Sequence, residues 1–194
     1  MLDRREFIAR LLAERGDLLV VTGLGTATFD VTACGDHPLN FYVWSGMGCT
    51  AMVGLGLALA RPDRRVAVIT GDGDLLMGLG SLATIGVKQP ANLAIVVLDN
   101  GQYAATGLQV SHTSSGIDLG GTAASCRFRR VLAVAEMEAA AEVRRMLHAE
   151  RGPLFIHAKV KPGEPPRVVP SRDGHAIKQR FVEASGKPLA GLAS

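Results

Sequence analysis

Aromatic side chains are scarce in this chain, at 5% of its 194 residues, and its net charge is only +3. Basic residues are dispersed, the densest groups being Arg61/Arg64/Arg65 and Arg127/Arg129/Arg130. Nucleic-acid binders concentrate such charge on one face with aromatics between, so a solvated surface is expected here and no nucleic-acid partner. The only three cysteines, Cys34, Cys49 and Cys126, are far apart and form no C-x-x-C unit. That excludes a disulfide framework or a zinc site and points to a reducing cytoplasm. Long apolar runs are missing too. The stretch at 51–60 is interrupted by glycines and is too short for a bilayer, and the charged start Met1-Leu2-Asp3-Arg4-Arg5-Glu6 is no signal-peptide core. A soluble protein without a membrane partner is expected.

What the chain has is small and aliphatic. Hydrophobic residues reach 47% and glycines number 23, which suits close-packed α/β layers. Asp3 is placed to cap a helix with Phe7, Ile8, Leu11 and Leu12 at helical spacing, ended by Gly16. Residues 18–21 read as a buried strand running into the turn Thr22-Gly23-Leu24-Gly25-Thr26. Residues 41–44 read as extended and 47–60 as a small-residue helix.

The centre is clearest: 66–70 and 93–98 are uninterrupted apolar runs separated by a helix-length segment. Strands hydrophobic throughout imply a parallel sheet covered on both faces. Further strands are expected at 131–134 and 154–159, with a helix over 136–151 between them. The expected fold is α/β, a single three-layer domain over residues 1–161. An extended C-terminal arm, 162–194, is then packed on the domain or on a partner. Pro162, Pro165, Pro166 and Pro170 keep its first part extended, and Ile177, Phe181 and Val182 share the apolar side of a short helix.

In a parallel sheet ligands bind beyond the carboxyl ends of the strands. Two apolar strands end there in polar groups, Gly71-Asp72-Gly73-Asp74 and Asp99-Asn100-Gly101-Gln102. Asp72 offers an anionic oxygen, Asn100 a neutral one, and a turn carbonyl a third. Completed by phosphate oxygens and water, this set suits octahedral Mg²⁺. Gly73 lets backbone approach a diphosphate, and the helix that follows directs free N–H groups at its charge.

Gly71-Asp72-Gly73, followed 28 positions after Asp72 by Asn100, resembles the signature of thiamine-diphosphate-dependent enzymes in their diphosphate-binding domain. The family closes the motif with Asn-Asn where this chain has Asp99-Asn100; the second Asn is the metal ligand. The resemblance implies Mg²⁺ held by Asp72, Asn100 and the main-chain carbonyl of Gln102. It also implies that Met47, between Gly46 and Gly48 and 25 positions before Asp72, props the cofactor in a bent shape. Core packing is the alternative job for Met47. Gly23, Gly25 and Thr26 fall where the family has a loop touching the cofactor, although an ordinary strand-to-helix turn explains the glycines as well. Asp74 is expected to act through its N–H, its side chain free to cap the next helix. Tyr103 either lines the pocket or packs the turn.

Segments 71–77, 82–85 and 98–103, with Thr106-Gly107, Gln109 and His112-Thr113, resemble the group that decarboxylates sulfopyruvate or phosphonopyruvate. This implies non-oxidative loss of CO₂ from a small 2-oxoacid, giving an aldehyde. The family needs a glutamate on the pyrimidine N1′, supplied by a separate pyrimidine-binding domain. Glu6 and Glu14 lie on a surface helix, so an α-type partner subunit in a hetero-oligomer is expected to bring it. His112 is the candidate general acid, a surface-loop histidine being the plain alternative. Arg127, Lys161 and Arg172 have no spacing that directs them to an anionic substrate tail. Carboligation or 2-oxoacid oxidation with the same cofactor is the competing chemistry. A nucleotide-binding module is the competing class, although Gly23-Leu24-Gly25 is not completed to G-x-G-x-x-G.

Overall fold

The computed structural model describes residues 1–186; residues 187–194 of the expected arm lie outside the described residues. In chain order the elements are α1 (Arg4–Leu12), β1 (Leu19–Thr22), α2 (Thr26–Ala33), β2 (Asn40–Tyr42), α3 (Thr50–Ala60), β3 (Val66–Gly71), α4 (Asp72–Met77) and α5 (Ser81–Lys88). There follow β4 (Leu93–Asp99), β5 (Gln102–Tyr103), β6 (Gln109–Val110), α6 (Leu119–Ser125), β7 (Arg130–Val134), α7 (Ala140–Ala149), β8 (Leu154–Lys159) and α8 (Gly174–Ser185).

Six strands form one parallel sheet in the order β2-β1-β3-β4-β8-β7. Side chains alternate across it, as the two-residue period of a strand requires. Ala67, Ile69, Ala94, Val96 and Ile156 pack under α1, α2 and α7. Val66, Val68, Ile95, Val97 and Phe155 pack under α3, α5 and α6. Both faces are therefore covered, which is why the central strands carry no polar alternation. Among the described residues no helix is long and apolar enough to cross a membrane.

Asp3 caps α1 as expected, its carboxylate accepting the N–H groups of Arg5 and Glu6. Other boundaries moved for local reasons. β2 ends at Tyr42, after which Val43 donates to Thr22 and the chain turns. α3 starts at Thr50, not Met47, because Gly48 sits at φ +86° in a tight turn ahead of it. The segment after β3 is split into α4 and α5 at Gly78-Leu79-Gly80, and a single turn of 3₁₀ helix leads into α7. The β5–β6 hairpin and α6 carried no periodic signal.

Beyond β8 the chain runs irregularly to Asp173, which caps α8 by accepting from His175 and Ala176. Trp44 Nε1 donates to the Ser171 carbonyl at 2.8 Å, and Arg172 lies over the Trp44 ring. Ile177 and Phe181 are buried, Phe181 edge-on to Phe41 at 5.5 Å between centroids. Val182, expected on the same apolar side, is exposed instead, because a residue one position after Phe181 is turned about 100° away on a helix. Phe181→Ala is expected to cost about 3 kcal/mol, read as a melting temperature lower by roughly 6–12 °C.

Candidate active site

A cleft of about 330 Å³ opens at the carboxyl ends of β1, β3 and β4. β3 and β4 run in register until Gly71 faces Leu98, so the residues that follow leave the sheet side by side. Asp72, Gly73 and Asp74 form the first turn of α4, where backbone N–H groups have no intrahelical partner. After β4 the chain reverses at Gly101, φ +71°, and the Asn100 side chain accepts the N–H of Gln102 at 3.1 Å. An amide oxygen has a second lone pair left for a ligand. Gly71, Asp72, Gly73, Asp74, Asn100, Gln102 and Tyr103 all line the cleft. Met47 lines it from the turn before α3, and Gly25 and Thr26 from the start of α2.

The two acidic strand tips differ in how their charge is met. Asp99 is fully buried yet accepts from His157 Nε2 at 2.6 Å and Lys159 Nζ at 2.5 Å, both on β8. Burial pushes its pKa up, but the hydrogen bonds from His157, Lys159 and Thr113 outweigh this and hold it well below the usual carboxylate range. Asp72 is 1% exposed and has no cation within 4 Å among the described residues. Burial raises its pKa, with a further push from Asp99, against hydrogen bonds from Ser111 and Thr113. An unpaired buried carboxylate is costly, and a divalent ion would relieve that cost. Among the described residues no three His, Cys, Asp or Glu side chains gather as a metal centre. One carboxylate, one amide oxygen and one carbonyl are a donor set for hydrated Mg²⁺ rather than for a thiolate- or imidazole-loving metal.

The Asp74 carboxylate does not cap α4, as the sequence had suggested. It reaches backward, accepting from Gly48 N–H at 2.6 Å, from Thr50 Oγ1 at 2.7 Å and from Thr70 Oγ1. The turn that carries Met47 is thereby tied to the end of β3. Gly23 does not line the cleft; a β-carbon there would strike the Asp74 carboxylate, so this glycine admits the hub. Gly46 and Gly48 lie behind Met47, outside the lining. Gly48 abuts the backbone of Met77 and Gly78. The space beside Gly73 is filled by the Tyr103 ring, which accounts for that glycine by packing. Gly71 is different: nothing lies within 4 Å of where its β-carbon would stand, and it faces the cleft.

His112 is exposed on a 3₁₀ turn and does not line the cleft, so the candidate general acid is not brought to the other residues. Its neighbours Ser111 and Thr113 are buried and hydrogen-bond to Asp72. Those two, with His157 and Lys159, are the residues sequence reading missed. Nothing in Ser111-His112-Thr113, three polar residues in a row, marks the outer two as buried. No lysine or arginine lines the cleft among the described residues.

Comparison with known proteins agrees with this geometry. The family described as thiamine pyrophosphate enzyme, C-terminal TPP binding domain, matches residues 23–158. The chain is 38% identical to sulfopyruvate decarboxylase subunit beta of Methanothermobacter thermautotrophicus, covering 94% of this chain and 95% of that protein. It is 38% identical to phosphonopyruvate decarboxylase of Streptomyces viridochromogenes over 96% of this chain, but spans only 47% of that longer protein. Benzoylformate decarboxylase from Polynucleobacter necessarius shares the fold, with a TM-score of 0.71 over 83% of this chain and 34% of its own, at 16% identity. The chain therefore belongs to the thiamine pyrophosphate enzyme family, through the C-terminal cofactor-binding domain of that family.

Proposed function

We propose that this chain is the diphosphate- and Mg²⁺-binding subunit of a thiamine-diphosphate-dependent 2-oxoacid decarboxylase of the sulfopyruvate or phosphonopyruvate type. One observation carries the reading: a buried carboxylate without a counter-cation, Asp72, shares a cleft wall with Asn100 and with no basic residue. A diphosphate binding there has its charge met by a divalent ion and by backbone N–H groups, not by lysine as in a P-loop. Asp72, Asn100 and the Gln102 carbonyl would hold the ion. The N–H groups of Gly73 and Asp74 face the phosphates, and Met47 supports the ring system from below. When bound, thiamine diphosphate supplies the electron sink that loss of CO₂ from a 2-oxoacid requires. Tyr103 and Thr106 then wall the reacting carbon.

In this reading the rest of the site comes from a pyrimidine-binding, α-type subunit that brings the N1′ glutamate. Support comes from the relatives: the chain matches a beta subunit over 95% of that protein's length, and about half of a longer decarboxylase. The cation that recognises an anionic substrate tail also falls to the partner, since the cleft wall here has none. Residues 1–161 would form the cofactor-binding domain and 162–194 an arm, in a cytoplasmic hetero-oligomer. His112, outside the cleft, has no catalytic role in this scheme.

The test is co-purification with the partner subunit and assay of CO₂ release from a 2-oxoacid panel that includes sulfopyruvate and phosphonopyruvate. Release is expected only with both subunits, thiamine diphosphate and Mg²⁺. Retention of NAD, or thiamine diphosphate binding indifferent to Mg²⁺, would sink the proposal. A finer expectation concerns Gly71, whose backbone at φ −87° suits any residue. Gly71→Ala should leave the metal-free melting temperature unchanged but weaken thiamine diphosphate binding about tenfold, as a methyl group intrudes on the cleft.

A further inference from the structure

Ser111 and Thr113 hold a position that the proposed chemistry does not use. Neither lines the cleft, yet both are buried, at 1% and 7% exposure, directly behind Asp72. Ser111 Oγ donates to Asp72 Oδ2, and Thr113 Oγ1 lies 3.1 Å from the same oxygen. Thr113 Oγ1 is also 2.8 Å from Asp99 Oδ1 and 2.9 Å from Ser111 Oγ. Each hydroxyl carries one proton. The Ser111 proton therefore goes to Asp72, and the one Thr113 proton lies between Asp99 and Asp72, shared by the two carboxylates. The tips of β3 and β4 are joined through this pair of hydroxyls.

Both hydroxyls address Oδ2. Oδ1 of Asp72 has no hydrogen-bond partner among the described residues and is the oxygen left for the cleft. The pair is itself held from behind. Ser111 N–H donates to the Gly101 carbonyl at 2.9 Å, and Ser114 Oγ donates to the same carbonyl. Asp99 is fixed by His157 and Lys159, which the register of β4 with β8 sets beside it. An aspartate with three χ1 wells available in a loose setting is thus confined to one carboxylate plane.

We propose that Ser111 and Thr113 form a clasp that orients the Asp72 carboxylate toward the metal, acting as positioning residues anchored through Asp99 to β8. The inference rests on the metal-site reading above. Hydrogen bonds that orient a metal-ligating carboxylate commonly carry a 10–100-fold share of metal affinity.

The experiment measures metal affinity directly, using Mn²⁺ as the probe ion at saturating thiamine diphosphate, on the full chain purified with its partner subunit. Free Mn²⁺ is counted by electron paramagnetic resonance, and thermal midpoints are recorded without metal or cofactor. Ser111→Ala and Thr113→Val are each expected to weaken Mn²⁺ binding by roughly 10–100-fold, while Thr113→Ser keeps the hydroxyl and retains it. Wild-type affinity in both variants overturns the clasp, as does a fall in thermal midpoint with metal affinity unchanged. Equal loss in Thr113→Ser and Thr113→Val also overturns it, since packing and not the hydroxyl would then matter. Absence of metal-dependent cofactor binding in the wild-type complex overturns the metal site and the clasp together; failure of the variants alone leaves the site standing.

Discussion

Asp72→Ala is expected to abolish magnesium-dependent retention of thiamine diphosphate, with affinity falling on the order of 100-fold or more and CO₂ release dropping to background. The size of the effect follows from the economy of the site. The other carboxylate among the lining residues, Asp74, is turned back onto the Gly48 amide and two threonine hydroxyls, so it cannot take over the charge that Asp72 presents. Asp72→Asn separates function from folding. It keeps the size and one acceptor oxygen while removing a buried charge that no lysine, arginine or histidine balances. The metal-free chain should then melt at or above the wild-type temperature, although cofactor binding is lost. Undiminished metal-dependent binding by either variant, measured by titration calorimetry, would remove the basis of the assignment.

Asp74→Ala is expected to be the most destabilising single change near the cleft. Its carboxylate accepts from the Gly48 amide and from two threonine hydroxyls while only 5% exposed itself. Truncation strands three buried donors, each at about 1–3 kcal/mol, though the hydroxyls can turn to other acceptors. A net loss of about 3–5 kcal/mol is expected, seen as a melting temperature roughly 10 °C lower. Release of the Gly48 amide should also loosen Met47 and weaken cofactor binding, even though the side chain of residue 74 need never touch the ligand. Asp74→Asn, which can accept two of the three bonds, should fall between wild type and alanine. A variant that melts like the wild type would show that the turn before α3 stands without this hub.

Much of the site was legible in the sequence because it sits at the ends of two strands whose apolar runs are unmistakable. Asp72 and Asn100 were placed by their position at the ends of 66–70 and 93–98, Gln102 as a ligand by the family resemblance, and all three reach one cleft with Tyr103. Met47 was legible only through the resemblance to the family, which places a bulky residue at that spacing before Asp72; it too lines the cleft. The roles of Gly23, Gly73 and Asp74 were not, since each depends on a contact between elements distant in sequence: Gly23 with Asp74, Gly73 with the Tyr103 ring, Asp74 with Gly48. The aspartate that replaces the family's first asparagine, Asp99, found its explanation only in the β4–β8 register that sets Lys159 opposite it. No local pattern announces strand order, so no local pattern could pair residues 99, 157 and 159. His112 drew notice as the one ionisable side chain in its turn, while the buried hydroxyls on either side, with no charge to advertise them, did the bonding.

The contact between Gly48 and the end of α4 has a thermodynamic corollary. Backbone there meets backbone, so the Met47 loop and helix α4, the two elements proposed to hold the cofactor, cannot shift independently. A ligand entering meets a rigid socket, and little ordering of the protein accompanies its arrival. The heat-capacity change on loading this half of the enzyme should therefore report buried surface alone, with none of the excess that coupled folding adds.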